Sequence, residues 1–221
     1  MPEPIYPVSL EKKMNQKQSD KIKRLYKELS EEQRWDRAEK AAKHLLTAVA
    51  FRVTSRVSFE KTNSALLPPI GYYYSIFHMS VALCWLHPEI EEIKLKKLKH
   101  STLQGLITTY FITPNLLSEY YSSLMQGLKE EREYLNYTFG EFKCDFFEEV
   151  EKNEKYVGDA FKLSIELIDE ICELLSPQFN IRSRISTYIA DSKGDDFIQT
   201  YLSNDEQDLV MDYLVQVNYS N

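Results

Sequence analysis

Histidines and arginines are scarce in this 221-residue chain, and three of them stand where they could do chemistry: His78, His100 and Arg132. An imidazole titrates near neutral pH, so it takes up and returns protons. A guanidinium keeps its charge and stabilises a developing anion. His100 follows Lys94, Lys96, Lys97 and Lys99 and precedes Ser101-Thr102-Leu103-Gln104, a capping-box pattern. Ser101 would then open a helix whose free amides, beside the four lysines, suit a phosphate. The competing reading of that run is a solvated turn that balances Glu89, Glu91 and Glu92. Arg132 falls inside an apolar stripe, four residues after Leu128. There it must meet a carboxylate or lift its head to water. Asn136 follows one turn later, with Tyr137 beside it. This segment either lines a groove or locks Arg132 in a buried salt bridge. His78 lies one turn after Tyr74, where the alternative is a core histidine bonded to a carbonyl or a tyrosine.

Other chemistry is missing from the sequence. There is no GxGxxG, P-loop, HExxH or GxSxG. The glutamates at 148, 149 and 151 are not spaced as paired metal ligands and read as a solvated face, so neither a metal nor a cofactor is expected. Cys84, Cys144 and Cys172 are far apart and form no CxxC, which fits reduced thiols. The first twenty residues show no charged start followed by an apolar run. A cytoplasmic protein is the expectation. A net charge of -7 argues against coating nucleic acid with the whole surface, while leaving room for a local basic patch.

The elements that must position these residues are helical. Only 6 glycines and 8 prolines interrupt the chain, and no alternating strand pattern or internal repeat is present. A short helix is predicted from about Asp20 to Leu29. Ser30-Glu31-Glu32-Gln33 is a capping box, followed by Trp35, Ala38, Ala42, Leu45, Val49 and Val53 on one helical stripe of roughly 25 residues. Ile70–Leu86 carries no charge at all. It is shorter than the about 20 apolar residues of a membrane span, and it contains His78, two serines and three tyrosines. A central core helix starting at Pro69 is therefore expected, ended by His87-Pro88. A charged linker, a short helix from Ser101, a break at Thr113-Pro114-Asn115, a helix closing at Phe139-Gly140 and a long helix from near Glu141 to Leu175 follow. Ser203-Asn204-Asp205-Glu206 caps a last amphipathic helix.

The fold class is all-α, an antiparallel bundle of about five main helices with a small C-terminal helical appendage. Residues 1–29 form an N-terminal extension, 30–175 the bundle, and 176–221 a tail that packs on the bundle or on a partner chain.

The order YYYSIFHMSVAL (72–83), LKHSTLQGLI (98–107), REYLNYTF (132–139) and a long terminal helix resembles the HEPN superfamily, including its prokaryotic YaaC-like branch. The resemblance covers roughly residues 34–175. It implies a helical bundle that dimerises. It also implies either a metal-independent ribonuclease of toxin–antitoxin and defence systems or a non-catalytic binder of RNA, nucleotides or a protein partner. Catalytic members carry an Arg, four to six residues, then a His, near the start of a late helix. Arg132 occupies that place here, but no His follows it in that window. One literal match, Arg37 and His44, lies on the first long helix, where chance accounts for it. The resemblance thus implies a binder of RNA or nucleotide, with a dimerising bundle and a ribonuclease using a non-standard Arg/His pair as alternatives. Tyr72, Tyr73, Tyr74, Tyr120 and Tyr121 are either base-stacking rings or core filler.

Overall fold

The computed structural model describes residues 14–62, 66–137, 146–176, 179–190 and 204–216; among these there are helices and no strand. The class is all-α. Helix α1 spans Gln16–Glu28 and α2 spans Glu31–Thr62. Each begins with a reciprocal cap. Asn15 Oδ1 accepts from the Gln18 amide at 3.0 Å while the Asn15 amide donates to Gln18 Oε1 at 2.8 Å. Ser30 and Gln33 repeat the arrangement at 3.1 and 2.9 Å. The cap at Asn15 starts α1 four residues earlier than the apolar pattern alone suggested. Helix α2 runs to 32 residues rather than about 25. Polar residues after Val53 blur its stripe, yet neither Gly nor Pro stops the helix before Pro68.

Helix α3, Pro68–Leu86, opens with two prolines at its first positions, where the missing amides cost nothing. It packs against α2, α6 and α7 and is the core of the molecule. Only Ile70, Tyr74, Phe77 and His78 break its burial, and they follow one another at helical spacing along one side. It crosses α2 in near contact. A Cβ on Gly71 would sit 1.7 Å from Ser55 Oγ and 3.2 Å from the Phe51 carbonyl oxygen. No helix of the described residues is long and apolar enough to cross a membrane.

The carbonyls at the C-terminal end of a helix have no partners of their own, and those of α3 are buried. Arg37 of α2 supplies the donors. Its Nη1 lies 3.3 Å from the Trp85 oxygen and 3.2 Å from that of His87, and its Nη2 lies 2.8 Å from that of Ile90. The Tyr26 hydroxyl of α1 donates to the Leu86 oxygen. A buried cation here also suits the negative end of the helix dipole.

The charged linker contains one short helix, α4, Glu92–Lys96. Helix α5, His100–Ile107, continues into a π-helical turn, Thr108–Ile112. Pro114 and Asn115 follow, the latter at φ 65, a left-handed conformation that Asn tolerates. Helix α6 spans Glu119–Tyr137 and α7 spans Phe146–Leu175. The expected helix end at Phe139-Gly140 and the expected start near Glu141 lie outside the described residues.

Two C-terminal helices follow among the described residues. Helix α8, Ile181–Ala190, has no counterpart in the sequence reading and is started by Asn180, whose Oδ1 accepts from the Ser183 amide at 2.9 Å. Helix α9, Asn204–Gln216, packs on α2 and α8. Its Tyr213 hydroxyl meets Arg52 Nη1, and Arg52 Nη2 is paired with Glu154 at 2.7 Å. Helix α9 therefore packs on the bundle of its own chain.

Candidate functional site

The exposed side of α3 positions the site. In an α-helix residues four apart lie one above the other, so Tyr73 stands below Phe77, and Tyr74 below His78. Helix α2 contributes His44 and Phe51, two turns apart; α5 contributes His100; and α6 contributes Lys129, Arg132 and Glu133. These four rings of α3 join one array. Phe51 lies near-parallel to Tyr74 (centroids 5.4 Å, planes 27°) and to His78 (5.8 Å, 7°). Phe77 links His78 (5.4 Å, 90°) to His100 (4.5 Å, 47°).

Tyr73 is the hub. Its ring is 5% exposed, and its hydroxyl hydrogen-bonds His100 Nδ1. Arg132 stands over the same ring, Cζ 4.5 Å from the centroid, and 5.8 Å from that of Tyr74. A guanidinium over a π face is attracted by the ring quadrupole. Burial pushes the Tyr73 hydroxyl up to about 12, so it keeps its proton at neutral pH. A phenol is a stronger acid than a neutral imidazole N–H, so the hydroxyl is assigned as the donor to His100 Nδ1. That choice leaves the His100 proton on Nε2, the nitrogen away from Tyr73. Burial, then the Arg132 and Lys129 charges, hold His100 below its ordinary value, so the ring is neutral at physiological pH.

Three of the residues singled out in the sequence are thus brought together. Arg132 is not sealed in a long-range salt bridge. Its side chain is 14% exposed, and its carboxylate neighbour is Glu133 at 3.4 Å. His78 is not a core histidine bonded to a carbonyl or a tyrosine. It is half-buried, and its Nδ1 meets the Nδ1 of His44 at 3.0 Å. Burial lowers both of these imidazoles to about 4, and for His78 the neighbouring His44 and His100 add to the effect.

The lysine run divides. Lys94 pairs with Glu91 at 3.3 Å and Lys96 with Glu92 at 3.4 Å, the balanced surface turn. Lys97 and Lys99 are exposed. The capping box at Ser101 does not form. Helix α5 begins one residue earlier, with Lys99 as N-cap and no side-chain cap bond, so Ser101 is exposed within the first turn. Asn136 and Tyr137 end α6, and their side chains lie outside the described residues. Tyr72 and Tyr121 are core, while Tyr74 and Tyr120 are half-buried.

His44 is the residue that sequence reasoning set aside with Arg37. The available signal was its spacing of seven from Phe51, two turns along the same side of α2. Arg37 lies two turns before His44 on α2, buried at the C-terminal end of α3 on the Trp85, His87 and Ile90 carbonyls, so the two halves of the literal Arg/His match serve different stretches of α3. A cleft of about 670 Å³ opens elsewhere, between α2 and α8, with Trp35, Asp36, Glu39, Phe179 and Arg184 in its walls. Its Glu39 is held by Arg184 at 2.9 and 3.1 Å and its Asp36 by Lys40. Both of these wall carboxylates are thus already paired with a cation.

The array offers flat half-exposed rings, a cation at their edge and a neutral N–H donor. No group of three His, Cys, Asp or Glu able to hold a metal is found among the described residues. Comparison with family models, curated proteins and solved structures finds no match. The likeness to the HEPN superfamily rests on the residues quoted from the sequence.

Proposed function

We propose that this protein binds RNA or a nucleotide on the face built by Phe51, Tyr73, Tyr74, Phe77, His100 and Arg132. The observation that carries the reading is the convergence of Arg132 and His100 on the two sides of Tyr73. Unpaired bases stack on aromatic rings and guanidinium planes. Here Phe51, 36% exposed, and the half-buried Tyr74 and Phe77 offer those rings. Arg132, His100 Nε2–H and the exposed Lys97 and Lys99 supply charge and donors for a phosphate. A solvated single strand or a free nucleotide fits such a surface better than a stiff duplex. The defence or toxin–antitoxin setting is what the HEPN likeness adds to this reading.

A second reading has its own observation. Phe51 at 36%, Leu66 at 37% and Leu67 at 58% are exposed apolar groups at the α2–α3 end. A second copy or a protein partner would cover them.

The test is a labelled single-stranded RNA pool incubated with purified protein in EDTA, with retention and cleavage read together. Wild type is compared with Arg132→Ala and His100→Ala. RNA retained by wild type and lost at least tenfold in both variants supports the binding face. Cleavage that disappears with either variant would move the protein to the ribonucleases. No retention, with a light-scattering mass of two chains, would favour the dimerising bundle.

A further inference from the structure

The cleft between α2 and α8 is a slot built from two matching helix faces. Glu32, Trp35, Asp36 and Glu39 line one wall, and Asn180, Ser183, Arg184 and Thr187 line the other. Each set falls at i, i+3, i+4 and i+7, one side of a helix over two turns. The slot therefore runs about 10 Å. Its walls differ in chemistry. Beside Arg184, the α8 wall offers one amide and two hydroxyls. The α2 wall is acidic and carries an indole that is 42% exposed, whereas the other tryptophan of the chain, Trp85, is 5% exposed. Phe179 meets Trp35 at a steep angle, centroids 5.3 Å and planes 70° apart, and supports the indole.

The chain already holds one guanidinium of its own in this slot. Arg184 Cζ stands 4.9 Å from the Tyr188 ring centroid, and its Nε and Nη2 bond the two oxygens of Glu39 at 2.9 and 3.1 Å. One turn away, Trp35 with Glu32 and Asp36 repeats that combination of ring and carboxylate. No cation of the described residues stands over Trp35. Glu32 is exposed, and its carboxylate has no partner among the described residues. Asp36 meets Lys40 through Oδ2 alone, and the Lys40 ammonium also lies 4.5 Å from the Trp85 ring centroid. A half-exposed pair of this kind is weak and yields to a second cation.

We propose that this slot docks an extended segment of a protein partner that carries an arginine, with the guanidinium on the Trp35 indole between the Glu32 and Asp36 carboxylates. Indole attracts a cation more strongly than the other aromatic rings. A planar guanidinium both stacks on it and forks to carboxylates, which an ammonium does not do. About three extended residues span 10 Å, and their amides and carbonyls face the side chains of Asn180, Ser183 and Thr187. Charge sets the sign of the partner. Three carboxylates and one arginine line the walls, in a chain whose net charge is -7. A phosphate or an acidic peptide is repelled there and a basic one is drawn in. The slot shares no residue with the ring array, so it stands whether or not that face binds RNA.

The test uses the full chain and a short capped peptide, glycine-serine-arginine-serine-glycine, beside versions with lysine, alanine or glutamate in place of the arginine. Binding is read by titration calorimetry and, in wild type, by indole fluorescence, to which the exposed Trp35 responds and the buried Trp85 does not. The arginine peptide should bind saturably, ahead of the lysine, alanine and glutamate versions in that order. Glu32→Gln should weaken it about fivefold and Trp35→Ala about tenfold. Glu32→Gln replaces an exposed carboxylate that holds nothing in the fold, so the variant stays folded, and its RNA retention should equal that of wild type. No saturable binding by wild type up to about 10 mM peptide, equal binding of the arginine and alanine peptides, or equal affinity of wild type and Glu32→Gln would overturn the assignment. So would tighter binding of the lysine peptide, or a light-scattering mass of two chains that falls to one in Glu32→Gln, which would seat a second copy of this chain in the slot.

Discussion

Replacing Arg37 with methionine separates a structural arginine from a functional one. Methionine keeps the unbranched stem and removes the guanidinium that bonds the Trp85, His87 and Ile90 carbonyls. Arg37 is 4% exposed, so water does not take its place. A hydrogen bond from a charged donor contributes about 1.5–3 kcal/mol net, and three lost bonds would suggest a larger total. Removing the buried charge also recovers its desolvation cost, a cost evident in the lowering of the Arg37 pKa by burial. Tyr26 still holds the neighbouring Leu86 carbonyl. The expected loss is about 3 kcal/mol. Urea unfolding should show a lower midpoint with an unchanged slope, since the surface exposed on unfolding is the same. RNA affinity per folded molecule should not change, because the guanidinium is buried on the carbonyls at the C-terminal end of α3 and makes no contact with the ring array. A stability change below about 1 kcal/mol together with a tenfold loss of RNA affinity would refute the reasoning. Arg37 and His44 would then be a working pair after all.

Three further outcomes follow from the packing. His44, His78 and His87 are each held at about 4, below the unfolded value of 6.5, so the unfolded chain binds more protons on acidification. Stability should be full above pH 6.5 and fall as the pH drops toward 4, by at most about 3 kcal/mol per independent group; a urea midpoint unchanged between pH 7 and 4.5 would contradict this. Glu131, whose Oε2 accepts from Asn153 Nδ2 at 2.6 Å, is pushed up to about 7 by burial and has the opposite sign, favouring the fold at low pH. Glu131→Gln should therefore stabilise at pH 8 by up to about 3 kcal/mol and change little at pH 4, read by thermal melting at the two pH values. Gly71→Ala should destabilise by about 1–3 kcal/mol through crowding at the α2–α3 crossing. A double cycle with Ser55→Ala should recover part of that loss but not all, because the Phe51 carbonyl remains 3.2 Å from the new methyl.

Residue spacing made the helices legible, and caps decided where they began. The uncharged run from Ile70 to Leu86 read correctly as a core helix because all-round apolarity at that length has few other uses. The start of α2 was legible because Ser30 and Gln33 satisfy each other locally. Ser101 and Gln104 show the same letters and form no cap, since tertiary packing starts α5 at His100 instead. Helix α8 escaped notice because it is only 10 residues long; its Ile181, Ile185, Tyr188 and Ile189 do fall at helical spacing, and they pack against α2. Arg132, His100 and His78 were identifiable one by one as chemically capable residues. Their shared contact with the Tyr73–Phe77 strip was not, because it depends on how α5 and α6 lie against α3, a long-range packing that no local pattern encodes. His44 was visible only as half of a coincidental motif. Its true partner is 34 residues away on the neighbouring helix.

The most direct test of the binding face is the affinity of a fluorescent single-stranded RNA for wild type and Arg132→Ala across a salt series. Arg132 as a phosphate ligand predicts at least a tenfold loss of affinity and a salt slope shallower by about one ion. Identical affinity and slope in the two proteins would contradict the account.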